Sequence, residues 1–177
     1  MDGSRSKPAG HGLDWLNAAP DADIRAALSA CCAADSWVSR VGGGCPYPDA
    51  DALYAASAAA TAALDDAGLD QALAAHPRIG ERAAGRDGAW SRQEQAGVAG
   101  AGDVLMGQLA AANAAYEQRF RHVYLVCATG RSAAELLAIC RSRLGNDPAT
   151  ERRVVLGELA KINQLRLRKL LARESFR

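Results

Sequence analysis

The chain has 177 residues, enough for one domain with a substantial core and short for two independent domains. Its 21 basic and 20 acidic residues nearly balance, so the charge gives no reason to expect a nucleic acid or an anionic membrane as a partner. The longest apolar runs, residues 55–64 and 123–128, are shorter than the about 20 residues that a membrane-spanning helix needs.

Residues 1–12 are polar and contain glycine, serine and proline, which favours a flexible lead over a secretory signal. We expect one domain over residues 13–172 and a short tail over 173–177. The cysteines lack the spacing of a disulfide framework or a zinc site, and we interpret them as packed thiols; they are Cys31, Cys32, Cys45, Cys127 and Cys140. The cytoplasm is the expected compartment.

Abundant alanine, few aromatic residues and no sustained alternation predict an all-α, single-domain helical bundle of about seven to nine helices. In the first half, helices are predicted over residues 24–33, 37–41, 52–66 and 70–75. Asp21 or Asp23 is expected to cap the first of them and Asp49 or Asp51 the third, with Gly68 as its stop.

The second half is predicted to contain a long helix over residues 91–120, with a candidate break at 100–102. The β-branched stretch 123–128 favours a short extended segment. Gly130 and Ser132 then open a helix to residue 144, and a turn at 145–148 leads into a last helix over 149–171.

The most specific stretch is HPRIGERAAGRDGAWSRQEQAG, which starts at His76. The residue before a proline is pushed out of helical geometry, so a helix must end near His76 and Pro77 must hold it extended. A Gly- and Arg-rich loop follows. Because histidine titrates near neutral pH, His76 is a candidate acid or base, although most single histidines are surface or core residues.

Ser91 and Glu94 have the spacing of a capping box, in which the serine caps a helix and the glutamate reaches back to the cap amide. A carboxylate in a first turn is also stabilised by the helix dipole, which favours an acceptor or base over an acid. The two interpretations are compatible. Gln95 offers a donor and an acceptor, which suit an amide- or urea-like substrate.

Arg166 lies on the apolar stripe of the last helix, in step with Val155, Leu159 and Ile162. An arginine there either extends to the solvent-exposed rim or faces a pocket that holds an anion. The nearby Arg168 and Lys169, and likewise Arg141 and Arg143, are expected only to solvate their helices.

Five motifs follow one another in the chain: HPRIG from residue 76, S-x-x-E-Q-x-G from 91, N-x-x-Y-x-x-R-F from 113, R-L-G-N-D from 143 and E-x-x-K-I-x-x-L-R-L-x-x-L from 158. In this order, and with ACCAADSWV at residues 30–38, the sequence resembles the decarboxylases of 2-oxo-4-hydroxy-4-carboxy-5-ureidoimidazoline (OHCU). The resemblance extends over residues 13–172.

The resemblance implies an all-helical homodimer, without metal or organic cofactor, that converts this small-molecule substrate to (S)-allantoin at the last step of urate breakdown. Carried over residue by residue, it makes His76 the catalytic histidine and Glu94 its acidic partner. It makes substrate-binding residues of Pro77, Ser91, Gln95 and Arg166. The stretch after residue 120 resembles the family's backbone contact with the substrate.

The sequence departs from the family pattern at two places. Many members carry an Arg-Pro-aromatic turn where this chain has Gly44-Cys45-Pro46-Tyr47, and the lost arginine could affect packing or a subunit contact. The family's frequent Gly-Phe is replaced by Arg121-His122, which we expect to abut the pocket.

Two alternative functions stay open on the sequence alone. One is an enzyme of the same scaffold acting on a related ureido or imidazoline compound, which Arg121-His122 favours. The other is a non-enzymatic helical binding module. That second alternative predicts that His76, Glu94 and Arg166 lie apart on the surface, whereas either enzyme predicts that they converge on one cavity.

Overall fold

The computed structural model describes residues 10–81, 87–98 and 100–172, and within these ranges the chain is helical without any β-strand. The all-α prediction is confirmed. The tail 173–177 and residues 1–9 of the predicted lead lie outside the described residues. The described elements are α1 (Gly10–Ala18), α2 (Asp21–Cys31), α3 (Asp35–Gly42), α4 (Ala50–Ala62), α5 (Asp66–Ala74), α6 (Asp87–Glu94), a 3₁₀ turn (Ala96–Val98), α7 (Asp103–Phe120), α8 (Ala133–Arg143) and α9 (Pro148–Ala172).

Side-chain caps explain where several helices begin. The Asp49 carboxylate accepts from the Ala52 amide at 2.8 Å and starts α4. Ser132 and Glu135 form a complete capping box at the start of α8. These two helix starts are confirmed. The cap expected from Asp21 or Asp23 is wrong, because Pro20 precedes α2 and no side chain caps it.

The prediction that Gly68 stops a helix is wrong, because Gly68 lies inside the first turn of α5. Its amide donates to the Asp65 carboxylate at 2.8 Å, which makes Asp65 the cap of a helix that starts earlier than expected. A Cβ at Gly68 would come within 3.1 Å of Ser36 Oγ, so the glycine is explained by close packing against α3.

The long helix predicted over 91–120 is two helices, α6 and α7, separated by a turn and the 3₁₀ turn. The described residues of the break, 95–98 and 100–102, extend beyond the predicted one, and α6 starts four residues before Ser91. The break between the two helices is explained by a tertiary contact at Gly97, where a Cβ would stand 2.1 Å from the carbonyl oxygen of Arg131. The chain passes so close to the start of α8 that only glycine fits there.

Helix α1 was not predicted. It begins at Gly10, inside the segment assigned to the polar lead, and packs against α9. A Cβ at Gly12 would stand 2.0 Å from the Leu171 carbonyl oxygen, so the glycine allows this close backbone approach.

The core consists of two apolar clusters. The first lies among α1–α5 and α9 and includes the buried Trp37 and Leu159, and the second lies between α7 and α8 around Tyr116 and Leu136. Residues 123–128 run between them without helix, as predicted. Side chains at the odd positions pack on the first cluster and those at the even positions on the second, which is the alternation of an extended chain.

The turn at Tyr47, where the family pattern loses its arginine, packs inside the domain. The Tyr47 hydroxyl donates to the Val41 carbonyl at 2.7 Å. Its backbone amide and carbonyl pair with the Asn17 side chain at 2.9 and 2.8 Å.

No helix in the described ranges is both long and apolar enough to cross a membrane.

Candidate active site

His76 follows the C-terminal end of α5, where Pro77 was predicted to place it. Its Nδ1 lies 2.9 Å from the Ala72 carbonyl oxygen. Because a carbonyl can only accept, Nδ1 carries a proton and Nε2 is left with a lone pair. The side chain is only 9% exposed, and Nε2 has no hydrogen-bond partner among the described residues.

The pKa of His76 is lowered from its ordinary 6.5 to about 4, and burial is the largest cause. The positive charge of Arg166 contributes to the lowering, whereas the Ala72 carbonyl and the Glu94 carboxylate partly oppose it. His76 is therefore neutral at pH 7, with Nε2 available as a proton acceptor.

The segment after His76 is held by α7. The Asn113 side-chain amide donates to the Ile79 carbonyl at 2.8 Å. Arg78 makes two bonds to the Glu117 carboxylate, at 2.6 and 2.9 Å. Gly80, at a φ of 92°, adopts a conformation that favours glycine. These contacts fix the direction in which the chain leaves the histidine.

Gln95 holds the same segment from the other side. Its Oε1 accepts from the Gly80 amide at 2.8 Å and its Nε2 donates to the Arg78 carbonyl at 3.3 Å. The side-chain amide that was predicted to contact a substrate is thus engaged with the loop, although Gln95 also lines the cleft described below.

Glu94 and Arg166 form a buried ion pair. Arg166 donates from Nε and Nη2 to the two carboxylate oxygens, each at 3.0 Å. Its Nη1 lies 3.3 Å from the Cys31 carbonyl oxygen, and Nη2 lies 3.5 Å from Ser91 Oγ. The Lys169 ammonium approaches Glu94 to 3.9 Å, so this lysine does more than solvate its helix.

This geometry overturns the expected capping box. Ser91 lies inside α6 and Glu94 is its last residue, so the helix dipole does not stabilise the carboxylate as predicted. Arg166 supplies the compensating charge instead. The extension of Arg166 to the rim is also wrong, because the residue is 6% exposed.

A cleft of about 370 Å³, solvent at its mouth included, lies beside these residues. Five of the six predicted site residues line it, and Arg166 is the exception, since it stands behind Glu94. The described lining residues are His76, Pro77, Ile79, Ser91, Glu94, Gln95, residues 124–129 and Ile162. His76 and Glu94 line this one cleft and Arg166 is bonded to Glu94 without lining it, so the three residues are not spread apart on the surface as the binding-module hypothesis predicts.

Arg121 and His122 do not line this cleft, so the expectation that they abut it is wrong. Arg121 ends α7 with a φ of 66°. The His122 ring packs against Tyr116 and Phe120, at centroid distances of 5.6 and 6.2 Å. His122 thus belongs to the aromatic packing of the second cluster, whereas Arg121 is exposed.

A buried polar network behind the cleft wall was missed. The Arg143 guanidinium pairs with Glu151 and donates to the Leu125 carbonyl at 2.8 Å. It also lies 3.2 Å from the Tyr116 hydroxyl, and that hydroxyl donates to Glu151. Arg143 was expected to solvate its helix, but it is 6% exposed. The R-L-G-N-D motif was a signal, yet its partner could not be identified from spacing.

No group of three or more potential metal ligands occurs within the part of the chain that the structure describes. What the cleft offers is a neutral imidazole, a carboxylate paired with arginine, and a thiol at Cys127. Such a set can move protons on a small polar molecule.

The OHCU decarboxylase family model matches residues 17–168 of the chain. A protein of Amia calva, 2-oxo-4-hydroxy-4-carboxy-5-ureidoimidazoline decarboxylase, is 34% identical over 150 residues, which are 78% of this chain and 79% of that protein. The uric acid degradation bifunctional protein TTL of Arabidopsis thaliana is 28% identical over 148 residues, which are 80% of this chain and 45% of that protein.

Two solved structures share the fold. A crystal structure of OHCU decarboxylase in the presence of (S)-allantoin superposes with a TM-score of 0.74 at 23% identity, over 88% of this chain and 100% of the other. A crystal structure of (S)-allantoin synthase gives a TM-score of 0.69 at 17% identity, over 89% of this chain and 53% of the other.

Proposed function

This chain belongs to the OHCU decarboxylase family, and we propose that it catalyses the cofactor-independent loss of carbon dioxide from OHCU to give (S)-allantoin in urate breakdown. The observation that carries the proposal is His76, a neutral, nine-tenths buried imidazole with an unpartnered Nε2 in the same cleft as Glu94. That arrangement suits a reaction whose only protein-dependent steps are orientation and proton transfer.

The substrate carries a carboxylate and a hydroxyl on one ring carbon and a ureido group on its neighbour. When carbon dioxide leaves, the electron pair moves into the adjacent C=N bond, so the substrate is its own electron sink. The resulting enol becomes a carbonyl when its hydroxyl loses a proton and the ureido-bearing carbon gains one. Protonation on one face gives a single enantiomer.

His76 takes the hydroxyl proton of the enol through Nε2. Its Nδ1, bonded to the Ala72 carbonyl, keeps the ring oriented and in the required tautomer. Glu94, held by Arg166, is proposed to orient His76 or the ureido nitrogens. Burial supports this assignment because it keeps the imidazole unprotonated and ready to accept.

Ser91, Gln95 and Pro77 are proposed as substrate contacts because they line the cleft. Arg166 is proposed to hold the substrate's anionic or carbonyl edge. In the described conformation Arg166 is bonded to Glu94 through two nitrogens and does not line the cleft, so a direct contact with the substrate requires the side chain to reorient.

We also propose that the protein is a homodimer in the cytoplasm. The family resemblance supports the dimer, and sedimentation equilibrium of the purified protein tests it. The five cysteines, all free thiols, support a reducing compartment. No observation favours a related ureido or imidazoline substrate, because Arg121 and His122 lie outside the cleft.

The test is a coupled assay in which urate oxidase and hydroxyisourate hydrolase generate OHCU in the cuvette. We expect rapid growth of the circular dichroism of (S)-allantoin with this protein. His76→Ala should lower that rate by about a hundredfold or more, since an acid–base group is removed. The matched control is His122→Ala, which removes a half-buried histidine outside the cleft and should leave the rate near normal. Near-normal activity of His76→Ala would contradict the assignment.

A further inference from the structure

One thiol lies in the candidate active site without a role in the scheme above. Cys127 is half-buried and lines the same cleft as His76 and Glu94. Its side chain packs on the same side of the 123–128 segment as Val123 and Leu125, toward the first cluster and α9. The thiol is therefore placed on the side of the segment from which Ile162 also lines the cleft.

The backbone at Cys127 is anchored. Its amide donates to Glu158 Oε2 at 2.8 Å, and the other carboxylate oxygen of Glu158 accepts from the Lys161 ammonium at 2.6 Å. Glu158 belongs to α9, so the backbone that carries the thiol is anchored to the helix that also carries Arg166. A side chain that protonates only one face of a substrate must be held in place in this way.

The thiol and the histidine are in complementary protonation states. Burial is the largest cause that raises the pKa of the Cys127 thiol; a backbone hydrogen bond from Thr129 opposes it, and the negative charges of Glu158 and Glu94 add smaller increases. At neutral pH Cys127 is a protonated donor rather than a thiolate nucleophile. His76 has the opposite role, because its unpartnered Nε2 is available as a proton acceptor. The His76 residue is nine-tenths buried.

Other acidic hydrogens in the described cleft lining are less suited to the task. The Tyr124 hydroxyl donates to the Leu136 carbonyl at 3.0 Å and is committed to the second cluster. Both oxygens of Glu94 accept from Arg166 and are committed to that ion pair. The serine and threonine hydroxyls are far weaker acids than a thiol. Cys127 is thus the neutral group best able to release a proton.

We propose that Cys127 is the catalytic acid that delivers the proton to the ureido-bearing carbon and so sets the configuration of the product. This inference rests on the function proposed above. It assigns the second proton transfer of the reaction, for which the scheme with His76 and Glu94 has no donor.

The proton balance closes. Cleavage of the bond to the carboxylate sends its electron pair through the new C=C bond to the ring nitrogen, which takes one proton from solvent. His76 Nε2 then removes the enol hydroxyl proton, the C=C electrons take the proton of the Cys127 S–H bond, and the S–H pair stays on sulfur. The imidazolium returns its proton to the thiolate through water at the mouth of the cleft, which restores both groups.

The experiment compares the full-length chain with Cys127→Ala and Cys127→Ser, using OHCU generated in place. Two quantities are measured: the consumption of OHCU by absorbance and the enantiomeric excess of allantoin by circular dichroism. Cys45→Ala is the matched control, because Cys45 is also half-buried but lies outside the cleft. Thermal unfolding of each variant verifies that it is folded.

If Cys127 is the donor, Cys127→Ala should consume OHCU within about tenfold of the wild-type rate, above the spontaneous background, while the enantiomeric excess falls toward zero. Water then protonates the enol on either face. Cys127→Ser should give an intermediate excess, because a hydroxyl occupies the place of the thiol but is a weaker acid. Cys45→Ala should match the wild type in both quantities.

Full enantiomeric excess from Cys127→Ala would overturn the proposal, whether or not the rate falls, because a rate loss with preserved configuration indicates packing only. Failure of the wild-type chain to consume OHCU above background would overturn the proposed function and this inference together. The two failures are distinguishable, since the first occurs in an active enzyme.

Discussion

At the scale of single residues, the protonation state of His76 follows from where its ring is buried. One nitrogen is committed to the backbone of its own helix, and the other has no partner in the described structure. The ring is enclosed near Arg166, which disfavours a second positive charge. The same burial that keeps the imidazole available as a base makes its protonation costly for the folded state.

The pH dependence of stability should report this burial. The unfolded chain binds a proton at His76 near pH 6.5 and the folded chain only near pH 4. The stabilisation is therefore complete above pH 6.5 and is lost as the pH falls toward 4, by on the order of 3 kcal/mol. Urea unfolding at several pH values should show a smaller decrease for His76→Gln than for the wild type. Parallel pH curves for the two proteins would contradict the burial of a neutral ring.

Several residues that line the candidate cleft could be predicted from the sequence, but the partners of their side chains could not. A serine and a glutamate three residues apart satisfy a capping box, and they equally share one face within a helix. The pattern at Ser91 and Glu94 could not separate these cases. Arg166 was placed on the apolar face of α9, but its partner lies 72 residues away, at a distance that periodicity does not encode.

At the scale of elements, α7 ends where the family pattern often has glycine. Arg121 is exposed, and its amide closes the helix on the Glu117 carbonyl at 2.9 Å. With a φ of 66°, Arg121 has the left-handed backbone conformation. This conformation carries a steric penalty for a residue with a Cβ but none for glycine. The departure at this position thus concerns the helix end and not the substrate.

Replacing Arg121 by glycine should stabilise the protein by about 0.5–1 kcal/mol, because relief of the left-handed conformation exceeds the added flexibility of the unfolded chain. Arg121→Ala is the control, since it removes the same side chain but keeps the strained backbone. The free energies of unfolding in urea decide the matter. A glycine variant no more stable than the alanine variant would show that the conformation carries no strain.

Helix starts that depend on local caps were predictable, whereas breaks that depend on tertiary contacts were not. Ser132 caps α8 through atoms within three residues of it. The break between α6 and α7 instead depends on Gly97 meeting the backbone at Arg131, a contact between distant parts of the chain. The polar composition around α1 likewise concealed a helix that packs on α9.

At the scale of the whole molecule, one polar network joins the two halves of the core. Glu151 of α9 pairs with Arg143 of α8 and accepts from Tyr116 of α7, while Arg143 also holds the Leu125 carbonyl in the cleft wall. Both charged groups are almost fully buried. Removing one member leaves the other charged and without compensation.

Glu151→Gln should therefore lower the free energy of unfolding by about 3–5 kcal/mol, because Arg143 keeps its buried charge. The control is Glu81→Gln, which breaks an exposed ion pair with Arg78 and should change stability by less than about 1 kcal/mol. Urea unfolding of the two variants provides the comparison. Equal effects of the two substitutions would show that the buried pair contributes no more than a surface one.

The alternation of residues 123–128 has a consequence for protein engineering. Side chains at even positions belong to the packing of α7 and α8, and those at odd positions face α9, where Cys127 meets the cleft. Directed evolution toward a new substrate can therefore randomise position 129, which lines the cleft and is exposed, at little risk to folding, whereas position 127 packs on the first cluster and carries the proposed acid. Libraries that also vary positions 124, 126 and 128 would consist largely of unstable proteins. Few positions in this wall of the cleft are therefore open to substitution, and all their variants can be screened.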